Sequence, residues 1–160
     1  MKNIISWALY QADTIWLDID TNLKNIEFAI QRSTKSNIDI LVCPEVCTTA
    51  YATKNPEYAQ SMHSPMINKL KFLANNYDIA ICGSFMINEN DKIYNRFLFF
   101  TPDGVIYKYD KAHLFSLAEE NIYFTKRCAG EKVSCIRVEL CDIIIVDGKL
   151  FFSALPRQYY

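Results

Sequence analysis

The chain has 160 residues, 51% of them hydrophobic and 22% charged, which suits one compact domain with a real core and excludes a disordered chain. Seventeen basic residues against eighteen acidic ones leave a net charge of -1, so nothing points to nucleic acid or to an anionic membrane surface as a partner. The opening MKNIISWALYQAD has no signal-peptide pattern, and no apolar run reaches the roughly 18 residues of a membrane span, so a cytoplasmic protein is expected.

In chain order, IISWALY is apolar and rich in β-formers, and reads as a buried first strand. DIDTNLKNIEFAIQRS then places Ile19, Leu23, Ile26, Ala29 and Ile30 at helical intervals, with Asp20 or Thr21 as candidate N-cap. NIDILVCPE is a short continuous apolar run ended by Pro44, the pattern of a strand covered on both faces. PMINKLKFLANNYD predicts a helix through Met66, Leu70, Phe72 and Leu73, with Pro65 in its first turn. IAICGSFMI is a further strand, and strand-helix-strand-helix-strand is an α/β order.

KIYNRFLFFTPDGVIYKYDKAHLF carries two β-rich runs around Pro-Asp-Gly, which predicts a hairpin. Beyond SLAEENIYF, the runs KVSCIRVEL, DIIIV and KLFFSAL are all β-like, with Gly148 as the turn between the last two. No internal repeat or low-complexity stretch occurs.

Six cysteines, Cys43, Cys47, Cys82, Cys128, Cys135 and Cys141, are expected as free thiols, because no C-x-x-C pair has zinc spacing. Four glycines with no phosphate-cradling motif argue against a nucleotide fold, and two histidines against a metal hydrolase. No cofactor and no metal are expected.

Glu45 follows the strand ending at Pro44, where open α/β sheets place their ligands. Read alone, a glutamate in such a position is more often a solvated loop residue. Lys111 lies among Tyr109, His113, Leu114 and Phe115, and an ammonium drawn toward apolar neighbours needs a carboxylate partner. The competing readings are a surface Lys111 paired with Asp110 and a packed, hydrogen-bonded His113.

Taken together and in order, CPEVCTTAY, NRFLFFTPDGVIYKYDKAHLF and SLAEEN resemble the carbon-nitrogen hydrolase (nitrilase) superfamily, and in particular its bacterial omega-amidase branch. ALYQADTIWLDIDTNLKNIE fits the same branch, so the resemblance runs from Met1 to about Gly130. It implies an α/β fold, the first half of an α-β-β-α sandwich with mixed sheets flanked by helices. It also implies release of ammonia from an α-keto acid amide such as 2-oxoglutaramate. By motif, Glu45 takes the role of general base, Lys111 stabilises the oxyanion, and Glu120 is the supporting glutamate near the site. The implied partner is a small-molecule amide and the implied assembly a homodimer.

The family's nucleophile is a cysteine in a CYDLRFP-like segment, whereas this chain reads IIIVDGKLFFSALPRQYY there. Alignment of the apolar strand puts Asp147 or Gly148 in the cysteine's place, and neither is a thiol nucleophile. Cys141 precedes DIIIV, at the wrong end of that strand by roughly 15 Å or more. The expectation is one domain over residues 1–160, incomplete at its C-terminus, with 131–160 a divergent tail of a shortened or frame-altered gene. Three functional readings follow: an amidohydrolase, a non-catalytic pocket for a small carboxylate or amide, and an unstable fragment. Reading the gene in its other two frames past the codon for Gly130 should reveal a CYD-like segment, and finding none overturns the frame-altered origin.

Overall fold

The computed structural model describes residues 4–127 in full and, beyond them, the backbone of Cys135–Val138, Cys141–Val146 and Lys149–Ala154. Strand β1 (Trp7–Leu9) leads to helix α1 (Ile19–Lys35) and strand β2 (Ile40–Val42). A short strand β3 (Gln60–Ser61) precedes helix α2 (Pro65–Asn76) and strand β4 (Ala80–Glu89). Strands β5 (Lys92–Phe100) and β6 (Ile106–Asp110) follow, then the single-turn helix α3 (Glu120–Tyr123).

Helix α1 starts earlier than the sequence suggests: its N-cap is Asp18, whose carboxylate accepts from the Thr21 amide at 3.0 Å, and not Asp20 or Thr21. Ser64 caps α2 in the same manner, accepting from the Ile67 amide, with Pro65 at the first helical position as expected.

One mixed sheet runs in the order β1-β2-β4-β5-β6, with β3 added beside β4. Strands β1, β2 and β4 are parallel, as the intervening helices require, and β4-β5-β6 is an antiparallel meander. The predicted hairpin is present as β5-β6, and Gly104 of its Pro-Asp-Gly turn has φ +88°. A second hairpin, β4-β5, turns through Asn90 and Asp91, both in the left-handed region at φ 54° and 58°, which is the chemistry of a type I′ turn.

Both faces of the sheet are covered, which is why its strands are continuous apolar runs rather than alternating ones. On one face Leu41, Ile81, Phe85, Leu98 and Phe100 meet Ile26 and Ile30 of α1 and Ile67, Leu70 and Leu73 of α2. On the other, Ile40, Cys82, Phe97, Phe99 and Tyr109 form a separate buried cluster. The first strand departs from expectation: β1 lies at the sheet's edge, and Trp7 and Leu9 are exposed. Phe72 also departs, lying on the outer side of α2 at 56% exposure while Ile67 and Ala74 join Met66, Leu70 and Leu73 inside. No helix among the described residues is long and apolar enough to cross a membrane.

Past residue 127 the three β-like runs pair as an antiparallel sheet of β7 (Cys135–Val138), β8 (Cys141–Val146) and β9 (Lys149–Ala154). Cys141 opens β8, at the strand's N-terminal end. Asp147, Gly148 and Cys128 lie outside the described residues.

Leu70 is fully buried in the main core, so Leu70→Ala should cost about 2–5 kcal/mol of unfolding free energy. Phe72→Ala should stay within about 0.5 kcal/mol. Urea denaturation of the two variants beside the unaltered chain checks both.

Candidate active site

Three side chains singled out in the sequence meet at the end of the sheet. The Lys111 ammonium lies 2.8 Å from Glu45 Oε1 and 2.9 Å from Glu120 Oε2, with Glu120 Oε1 at 3.2 Å. One cation therefore serves two carboxylates.

Each member is delivered by a different element. Glu45 begins the turn after β2, where Val46 donates its amide to Ser84 Oγ at 2.8 Å and Cys47 donates its amide to the Ser84 carbonyl at 3.1 Å. Val46 has φ 41° and is almost fully buried. A β-branched residue in that region stores about 1–3 kcal/mol of strain, which the Ser84 contacts and its packing against Met86 and Phe124 hold in place.

Lys111 follows β6 directly and donates its amide to the Asn95 carbonyl at 3.0 Å, so it continues the pairing of β6 with β5. Glu120 opens α3 after Glu119, which turns the chain at φ 59°. The carboxylate of Glu120 then reaches back to accept from the Phe115 amide at 2.6 Å.

Two further residues belong to the cluster and were not recognised in the sequence. Asn95, buried in β5, donates through Nδ2 to Glu45 Oε1 at 2.6 Å and to Glu120 Oε1 at 3.1 Å. Tyr51 hydrogen-bonds Glu120, and burial together with that carboxylate pushes its phenol well above the usual range, so it stays protonated as a donor. The signal for Asn95 was present: a polar Asn-Arg pair inside the apolar run YNRFLFF needs buried partners.

Arg96, the other half of that pair, points to the opposite face. Its guanidinium grips Asp110 with Nε at 2.6 Å and Nη2 at 2.8 Å, and Nη2 also meets Glu89 at 2.8 Å. Asp110 is therefore the partner of Arg96 and not of Lys111. His113 is exposed rather than buried.

The two carboxylates differ in kind. Glu120 is fully buried, and although burial alone would raise its pKa, hydrogen bonds from the Phe115 amide, Lys111 and Asn95 hold it below the usual value. Glu45 is 47% exposed at its side chain and uses only Oε1 within the cluster. For Lys111 burial favours the neutral amine, but hydrogen bonds to Glu45 and Glu120 outweigh it and keep the pKa above the ordinary range. The lysine is thus a fixed cation, suited to developing negative charge rather than to taking a proton.

Cys43, Cys47 and Cys82 are free thiols, as expected, and all three are buried. Burial, with the hydrogen bond to Cys43, pushes the Cys47 thiol well up, and burial raises Cys82. Neither Cys47 nor Cys82 is poised as a thiolate nucleophile. Among the described residues no group of three or more His, Cys, Asp or Glu is placed to hold a metal ion.

Comparison with known proteins adds to this geometry. A sequence profile of the carbon-nitrogen hydrolase family matches residues 7–152. The omega-amidase YafV of Yersinia enterocolitica is 34% identical over 117 residues, covering 73% of this chain and 44% of that protein. The 2-oxoglutaramate amidase of Bacillus subtilis is 36% identical over 107 residues, covering 65% and 41%. The crystal structure of XC1258 from Xanthomonas campestris, a CN-hydrolase superfamily protein with an arsenic adduct in its active site, superposes with a TM-score of 0.79 at 25% identity over 86% of this chain and 51% of that one. This chain spans under half the length of the relatives it matches.

Removal of the buried Arg96 leaves Asp110 uncompensated, so Arg96→Ala should cost about 3–5 kcal/mol in denaturant unfolding. Because the folded-state pKa of Glu120 is depressed from 4.5, its stabilising contribution is complete above that value and is lost as pH falls through the folded pKa. A Glu120→Gln chain should therefore lose less stability on acidification than the unaltered chain, as read from unfolding midpoints measured between neutral pH and pH about 3.

Proposed function

The chain belongs to the carbon-nitrogen hydrolase family, and we propose that within it the chain carries the acid-base and oxyanion half of an omega-amidase site that acts on the amide of an α-keto acid such as 2-oxoglutaramate. The observation that carries the reading is the single Lys111 ammonium held between Glu45 and Glu120. Its likeness to an omega-amidase and to a 2-oxoglutaramate amidase supports the choice of substrate.

In this reading Glu45 is the general base. It takes the proton of a nucleophilic thiol as the sulfur attacks the amide carbonyl, and the carbonyl oxygen becomes an oxyanion facing Lys111. Glu45 returns the proton to the departing nitrogen, which leaves as ammonia. The carboxylate then draws a proton from water as the water attacks the thioester, releasing the keto acid and restoring the thiol. Glu120 never exchanges a proton: fully buried and held below its usual pKa, it anchors Lys111.

The nucleophile is the open term, since Asp147 or Gly148 stands where the motif calls for cysteine and the three described cysteines are buried away from this role. That observation favours a second reading, a pocket that binds a small amide or carboxylate without turnover.

Ammonia release from 2-oxoglutaramate by the purified chain, with Lys111→Ala, Asp147→Cys and Gly148→Cys beside it, separates the readings. Release by the unaltered chain that Lys111→Ala abolishes supports the amidase. Release that survives Lys111→Ala overturns this site. No release, with recovery in Asp147→Cys or Gly148→Cys, supports the pocket that has lost its nucleophile.

A further inference from the structure

Asn95 occupies an unusual place in this cluster, because a single amide group, Nδ2, reaches both carboxylates. On Glu45 it selects the same oxygen that Lys111 selects: Oε1 accepts from Asn95 at 2.6 Å and from Lys111 at 2.8 Å. Oε2 of Glu45 accepts no hydrogen bond among the described residues. On Glu120, by contrast, both oxygens are engaged, Oε1 by Asn95 and Lys111 and Oε2 by Lys111 and the Phe115 amide.

Lysine alone does not produce this asymmetry. An ammonium on a flexible stem is a point charge that stabilises either oxygen of a carboxylate. Glu45 is half exposed and its backbone sits on a turn, so nothing in Lys111 fixes the torsion of its carboxylate. Asn95 is different: it is buried in the middle of an antiparallel strand, its backbone is locked between β4 and β6, and its planar amide donates along a fixed direction.

We propose that Asn95 is the positioning residue of the site, which pins Oε1 of Glu45 and thereby leaves Oε2 as the one basic oxygen presented to a reacting proton. The inference rests on the reading of Glu45 as general base. It adds that the identity of the basic oxygen is set from β5 and not by the Glu45 turn or by Lys111. Asn95 also joins Glu45 to Glu120 through a neutral donor, which lets two carboxylates share one cation at close range without adding charge.

The test is carboxyl-detected carbon NMR on the full chain, with the Glu45 signal assigned through Glu45→Gln. In the unaltered chain Glu45 should give one sharp carboxyl signal. In Asn95→Leu, which keeps the volume and removes the donor, that signal should broaden or split into exchanging conformers while Lys111 remains in place. A Glu45 signal that stays single and unshifted in Asn95→Leu overturns the proposal, and a merely structural asparagine would lower the unfolding midpoint without touching it. Should Asn95→Leu fail to fold, the chain with Asn95 intact decides. The Asn95 side-chain amide protons should exchange with solvent about tenfold faster in Glu45→Ala than in the unaltered chain, and unchanged exchange overturns the proposal. Ammonia release tests the amidase reading and the Glu45 signal tests Asn95, so each can fail without the other.

Discussion

The pairing of β5 with β6 is the constraint on which the site depends, because it decides on which side of the sheet each of four polar groups, Asn95, Arg96, Asp110 and Lys111, emerges. Arg96 stands opposite Asp110 in that ladder, and Lys111 donates its amide to the Asn95 carbonyl one step further on. A slip by one residue would exchange the faces, sending Lys111 toward the helices and Asp110 toward Glu45. The ion pair of Arg96 with Asp110, nearly dry, holds against that slip: in the wrong register it would leave a buried guanidinium without its carboxylate. A structural ion pair on one face thus secures the chemistry on the other.

The cluster itself is an electrostatic compromise. Two carboxylates around one ammonium would raise each other's pKa if they were alone, since like charges at close range disfavour joint ionisation. The additional donors resolve this unequally. Glu120 receives the Phe115 amide, Tyr51, Asn95 and Lys111, and has no exposed surface. Glu45 receives two donors on one oxygen and keeps the other toward the outside. A carboxylate with every lone pair engaged is an anchor, and one with a free oxygen is available as a base. The loops that carry them are tied together independently, by Thr53 donating to the Ala118 carbonyl at 3.3 Å and by Lys54 meeting Glu119 at 2.5 Å.

The buried cysteines show how little residue type says without position. Cys43 and Cys47 bracket Glu45 in the sequence, yet they sit in the core against α1 and α2, where Cβ of Cys43 would lie 2.9 Å from any side chain grown on Gly83. Gly83 is glycine because β4 passes that close to the Glu45 turn. These thiols serve as small apolar packing groups beneath the turn, and for Cys47 the burial that suits it there opposes the thiolate form.

Periodicity and turn chemistry in the sequence determined the two helices, the strands that flank them and the Pro-Asp-Gly hairpin, because these follow from local spacing and backbone preference. Motif order pointed to the family, which the family match bears out, and through it singled out Glu45, Lys111 and Glu120 as candidates. What the tertiary structure decided was every matter of facing. Trp7 and Leu9 are exposed because β1 takes the sheet's edge, and Phe72 because the two-helix layer meets the sheet through Leu70 and Leu73. Asp110 turns to Arg96 and leaves Lys111 to two glutamates that lie 66 and 9 residues away in sequence. The Asn-Arg pair inside YNRFLFF marks Asn95 as a polar group in need of buried partners, but which partners it and Tyr51 meet was decided only on folding, by the sheet and its loops.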